Sequence, residues 1–104
     1  MATVVERVQA GATALDAVRP GWAGEINIDQ LDISSNANCI VGQLERHGFP
    51  LAALVPAEQR YYPMNAVARF GLQPTSWDEG PALTAEWKKQ IQLRRERVAE
   101  ESVA

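Results

Sequence analysis

The stretch Ser34-Ser35-Asn36-Ala37-Asn38-Cys39-Ile40-Val41-Gly42-Gln43-Leu44-Glu45-Arg46-His47-Gly48 decides the fold class. Side chains of Ser34, Ser35 and Asn36 can cap free backbone N–H groups, so they announce a helix. The spacing predicts that helix over residues 36–46. Projected at about 100° per residue, Cys39, Ile40, Val41 and Leu44 point in nearly all directions. A helix that is apolar all round belongs inside a domain, and Gly42 lets another element come close to it. His47 and Gly48 end it, with a basic group in the last turn and glycine just beyond. Gln43 is the anomaly. Its amide is expected to be at least partly buried and must find partners, which the irregular 22–33 backbone can supply.

Before this helix, Val4, Val8, Gly11, Leu15 and Val18 recur at helical spacing and share one face, opposite Glu6, Gln9, Thr13 and Asp16. Gly11 costs about 1 kcal/mol relative to alanine in a helix, so a close neighbour is expected there. Arg19-Pro20-Gly21 stops the helix, because proline disfavours the α conformation before it and glycine frees the turn. Over residues 22–33, Ile26, Ile28, Leu31 and Ile33 alternate irregularly with Asp29 and Asp32. An extended piece or a single helical turn fits equally well, and a minor two-stranded pairing at Ile26 and Ile28 is allowed.

After the helix, Pro50, Pro56, Pro63, Pro74 and Pro81 punctuate short apolar stretches, with short helices expected at 51–55 and 65–70. Gly80-Pro81 opens a long final helix. Its core stripe is Leu83, Trp87, Ile91, Arg94 and Val98, and residues 100–104 are expected to fray. The expected architecture is mainly α. It is a small single-domain helical fold over residues 1–104, built on a central buried helix and covered by the first and last helices.

Length and composition agree with one ordinary globular domain: 104 residues, 46% hydrophobic and 22% charged. The longest apolar run, residues 51–56, is far short of the roughly 20 residues of a membrane span. Glu6 and Arg7 interrupt any signal-peptide pattern. One cysteine excludes an internal disulfide framework and suits a reducing compartment, so a cytoplasmic location is expected. A formal net charge of −3 argues against a dedicated nucleic-acid binder.

Enzyme chemistry finds little support. Cys39 and His47 are about 12 Å apart along a continuous helix, whereas a thiolate–imidazole pair needs about 3–4 Å. Asp32, Ser34, Asn36 and Asn38 have calcium-loop spacing, but Gln43 stands where the bidentate glutamate belongs and Ala37 replaces the turn glycine. Helix capping explains those oxygens without a metal. One cysteine and one histidine make no zinc site. Asp29 and Asp32 have no partner base or pocket to make them an acid–base pair, and no phosphate-cradling loop occurs. No catalytic residue, metal or cofactor is expected.

Lys88, Lys89, Arg94, Arg95 and Arg97 crowd the final helix and are the candidate nucleic-acid contacts. They scatter round its circumference among Glu86, Glu96, Glu100 and Glu101, whereas a groove-binding helix concentrates its charge on one face. Arg60, Tyr61, Tyr62, Met64 and Trp77 form the candidate partner-binding set, because such residues are enriched at protein interfaces. Trp87 belongs to the core stripe, and Trp22 is expected to staple the Pro-Gly turn to the core. Leu93 lies opposite that stripe and could contact a second copy.

The series Leu15-Asp16, Arg19-Pro20-Gly21-Trp22, Ile26, Ile28-Asp29, Leu31-Asp32 and Cys39-Ile40-Val41-Gly42-Gln43-Leu44 resembles a group of small proteins of actinobacteria and their phages. Arg69-Phe70-Gly71, in altered order, Leu83-Thr84, Trp87 and Arg94-Arg95 extend the likeness over residues 14–95. Asn27 and Gln30 make the acidic segment less charged than the group's, and Tyr61-Tyr62-Pro63 has no counterpart. The resemblance implies a compact cytoplasmic protein made by an actinophage or its host, and brings no activity or cofactor with it. The expected function is a non-enzymatic protein-interaction module, phage-encoded and acting on a host protein. The alternatives are a DNA-associated regulator using the last helix and a small-ligand binder with a pocket under Trp22 and Gln43.

Overall fold

The structure is a computed structural model that describes residues 3–35, 37–50, 70–72, 74, 76 and 78–103, with side chains described as far as residue 98. Among the described residues there are four helices: α1 (Val4–Val18), α2 (Trp22–Glu25), α3 (Ile40–Arg46) and α4 (Gly80–Val103). The mainly α class follows from them. The expected short helices at 51–55 and 65–70 fall outside the described residues, except Phe70, which lies in a turn.

Helix α1 begins with a reciprocal cap. The Thr3 hydroxyl accepts from Glu6 N–H, and the Glu6 carboxylate accepts from Thr3 N–H. Arg7, Val8, Gly11, Ala12 and Leu15 make the buried face, while Val18, expected on it, is 49% exposed. Val18 is the last residue of α1, one turn beyond Leu15, the last buried position of the helix. Gly21, at φ 87°, makes the left-handed turn into α2.

The largest packed surface lies between α1 and α4. Leu83, Trp87 and Ile91 of α4 are fully buried, as the stripe requires, and Trp87 meets Trp22 edge to face with centroids 5.6 Å apart. The stripe ends with Arg94, since Val98 is 60% exposed. The helical backbone continues through Val103, over residues expected to fray. Segment 70–72 crosses α1 at Gly11, where a methyl group would overlap the Phe70 carbonyl oxygen and lie 3.0 Å from Trp87 Cζ2. The Gly71 carbonyl accepts from Trp87 Nε1 at 2.7 Å. Gly11 is therefore kept for close packing, as its position predicts.

Helix α3 is shorter than expected. It starts at Ile40, not at residue 36, and Cys39 caps it, its sulfur accepting from Gly42 N–H at 3.3 Å. Capping chemistry upstream makes a turn instead. Ser35 Oγ accepts from Asn38 N–H, and the Asn38 carbonyl accepts from Asp32 N–H. Ile40 and Leu44 are inside, but Val41 is half-buried and Glu45 and Arg46 are exposed. Helix α3 is therefore not the central helix expected: it packs beside α2, and the centre is the α1–α4 pair, because one turn of α3 carries charge to solvent.

No strand occurs among the described residues, so the pairing allowed at Ile26 and Ile28 is not made. Gln43 takes the place of a second strand. Its Oε1 accepts from Asn27 N–H at 2.6 Å, and its Nε2 donates to the carbonyls of Asn27 and Asn38 at 3.2 and 3.0 Å. The Asn27 side chain turns the chain by accepting from Asp29 and Gln30 N–H. Thr84 on α4 holds the next stretch, its hydroxyl accepting from Ile33 N–H.

Candidate functional site

Four side chains join α1, α2 and α4 in one cluster. Asp16, the last acid of α1, accepts from Trp22 Nε1 at 2.9 Å and from Arg94 Nε and Nη2 at 2.9 and 2.8 Å. The forked pairing of guanidinium and carboxylate is the strongest kind of charged hydrogen bond. Arg94 also lies over the Trp22 ring, 5.6 Å from its centroid. Arg94 outweighs partial burial, so the Asp16 carboxyl titrates below its ordinary 3.8, with Trp22 N–H as a further cause. Arg95 completes the cluster by donating to the carbonyls of Ala23 and Ile26 at the end of α2. These are the carbonyls a short helix leaves without partners.

Beside this cluster runs a cavity of about 530 Å³ between α2 and α4. Pro20, Trp22, Ala23 and Val98 supply apolar lining, and Arg94, Arg95 and Arg97 stand round it. Gln43 does not line it. The pocket expected beneath Trp22 and Gln43 is thus displaced to the α4 side of Trp22, because Gln43 is only 2% exposed and spends its amide on backbone.

The candidate nucleic-acid residues do not form one patch. Arg94, Arg95 and Arg97 share the cavity, Lys88 lines a separate depression with Asp32, Ser34 and Thr84, and Lys89 lines neither. Arg94 and Arg95 also direct donors into the protein. The candidate partner-binding residues Arg60, Tyr61, Tyr62, Met64 and Trp77 lie outside the described residues.

Two further polar links were not legible as such in the sequence. Arg7 is 7% exposed and donates through Nη1 to both Glu79 oxygens at 3.0 and 2.9 Å, tying α1 to the approach to α4. Arg19 donates to both oxygens of Glu25 and to the His47 carbonyl, and stacks 5.3 Å from the Phe49 ring centroid. The signal for the Asp16 cluster was present: Arg94 falls on an apolar stripe, where a cation needs a carboxylate, and Asp16 directly follows the core residue Leu15.

Cys39 is buried and His47 is an exposed helix end, so the pair is not assembled. Asp32 uses an oxygen to cap Ser34 N–H at 3.0 Å. Among the described residues no three His, Cys, Asp or Glu groups come together to hold a metal ion, and no helix is long and apolar enough to cross a membrane. No protein-family model matches the chain, and no curated protein or solved structure matches it.

Proposed function

We propose that the chain is a non-enzymatic protein-interaction module and that the cavity between α2 and α4 is part of its binding surface. One observation carries this reading: a cavity lined by the exposed Pro20 and Val98 above the buried Trp22, bordered by three guanidinium groups. Arginine is among the residues most enriched where interfaces concentrate their binding energy, and such interfaces have apolar centres and polar rims. The resemblance to actinobacterial and phage proteins supports a phage-encoded protein acting on a host protein in the cytoplasm. Arg60, Tyr61, Tyr62, Met64 and Trp77 remain part of the proposed partner-binding surface on the strength of their residue types. Leu93, 46% exposed, supports self-association as an additional mode.

A tagged pull-down from actinobacterial lysate, with and without nuclease, tests the reading. A near-stoichiometric protein that survives nuclease is the expected result. Loss of every captured protein on nuclease treatment transfers the function to a DNA-associated regulator, for which the remaining support is Lys88, Lys89 and Arg97. The cavity also supports a second reading as a small-ligand site, since about 530 Å³ falls within the usual range for ligand pockets. A thermal-shift screen of anionic metabolites in the absence of protein partners tests that alternative.

A further inference from the structure

We propose that the cavity between α2 and α4 takes an acidic peptide segment carrying a bulky apolar side chain, contributed by a partner protein. This rests on the interaction-module reading and specifies the chemistry of the partner.

Charge is the first reason. Among the described residues that line the cavity, Arg94, Arg95 and Arg97 stand against one acid, Asp16, so this lining carries two net positive charges on a chain whose formal net charge is −3. The Arg94 charge is matched by Asp16. Arg95 directs Nε and Nη2 at neutral carbonyls and keeps its full charge. Arg97 is exposed and supplies further planar donors suited to a carboxylate. A local field opposite in sign to the rest of the molecule selects acidic partners and repels basic ones.

The state of the polar atoms is the second reason. The Asp16 oxygens already accept three hydrogen bonds from Trp22 and Arg94, and the Trp22 N–H is one of those donors. Among the described residues no buried side-chain nitrogen or oxygen lacks a partner. A small polar metabolite needs orienting groups inside its pocket, and here the uncommitted donors stand at the edge. An apolar side chain seated on the exposed Pro20 and Val98, above the buried Trp22 and Ala23, with flanking carboxylates meeting Arg97 and Arg95, uses the surface as built.

The test is selection from a displayed library of random twelve-residue peptides against the full chain, with Arg97→Glu and Lys89→Glu as parallel baits. Both substitutions make the same charge change on exposed positions of α4, but only Arg97 lines the cavity. The expected outcome is enrichment of Asp/Glu-flanked Leu, Ile, Phe or Trp by the wild type and Lys89→Glu. Arg97→Glu should bind the enriched peptides at least about tenfold more weakly, and they should shift the Trp22 indole resonance, assigned with Trp22→Phe. No enrichment, basic or purely apolar winners, equal binding by Arg97→Glu, or an unmoved Trp22 resonance each overturns the proposal. Displacement of the peptides by duplex DNA equally from all three baits also overturns it. If a lysate protein is still captured by Arg97→Glu, the interaction-module reading stands and only the assignment to this cavity falls.

Discussion

Gln43 sits 2% exposed with all of its amide in use, two donors and one acceptor serving the backbone at Asn27 and Asn38. Replacing it with leucine keeps the size but takes away the partners of the Asn27 N–H and carbonyl, while the Asn38 carbonyl keeps Asp32 N–H. Each stranded group costs about 1–3 kcal/mol. Gln43→Leu is therefore expected to lower unfolding stability by about 2–4 kcal/mol in urea titrations. Gly11 gives a sharper residue-scale test, because two effects have opposite signs. Helix propensity alone would make alanine stabilising by about 1 kcal/mol, whereas the Phe70 carbonyl leaves no room for a methyl. Overpacking of this kind costs about 1–3 kcal/mol, so Gly11→Ala should destabilise on balance. A rise in melting temperature would show that segment 70–72 can move aside.

At the scale of elements, α2 is too short to stand alone, since isolated helices below about 12–15 residues are marginal. It is held from both sides, by Trp22 N–H on Asp16 of α1 and by Arg95 of α4 on its final carbonyls. Arg95→Met keeps the aliphatic stem and removes the donors, and should cost about 1 kcal/mol. The Trp22 indole proton should lose protection from solvent exchange in the same variant. The Asp16–Arg94 link has a pH signature. Because the folded carboxyl titrates below its ordinary 3.8, the unfolded chain binds more protons across that interval. Its stabilisation is present at pH above the ordinary value and is lost as acidity carries the carboxylate through its lower folded value. Asp16→Asn should be less stable at neutral pH and show a flatter acid limb in thermal unfolding measured from pH 7 to pH 2.

For the whole molecule, one apolar cluster runs through α1, α2, α3 and α4 among the described residues. Trp22 and Trp87 meet across that cluster, and the Asp16 group joins three of the four helices around it. Unfolding should therefore be a single cooperative event, with tryptophan fluorescence and far-ultraviolet circular dichroism giving coincident urea transitions. Separated midpoints would mean that α4 melts independently of α1. Arg97→Glu, on an exposed position, should leave the unfolding free energy within about 0.5 kcal/mol of the wild type, which makes it suitable for binding tests.

Helical class, the limits of α1, the stripe of α4 from Leu83 to Arg94 and the need to satisfy Gln43 were all determined by the amino-acid sequence alone, whereas Val98, read into that stripe, is exposed. Each rests on local periodicity, on turn residues, or on the rule that a buried amide must be paired. The start of α3 escaped that reading because Ser35, Asp32 and Asn38 can form a turn with the same side chains that cap a helix. The missing strand pairing did so because a side chain, Gln43, took the hydrogen bonds that a second strand would have made. Only the tertiary structure brought Asp16, Trp22, Arg94 and Arg95 together. They come from three helices, with 78 positions between Asp16 and Arg94 alone, and the spacing that puts Arg94 on the apolar stripe does not encode which carboxylate it meets.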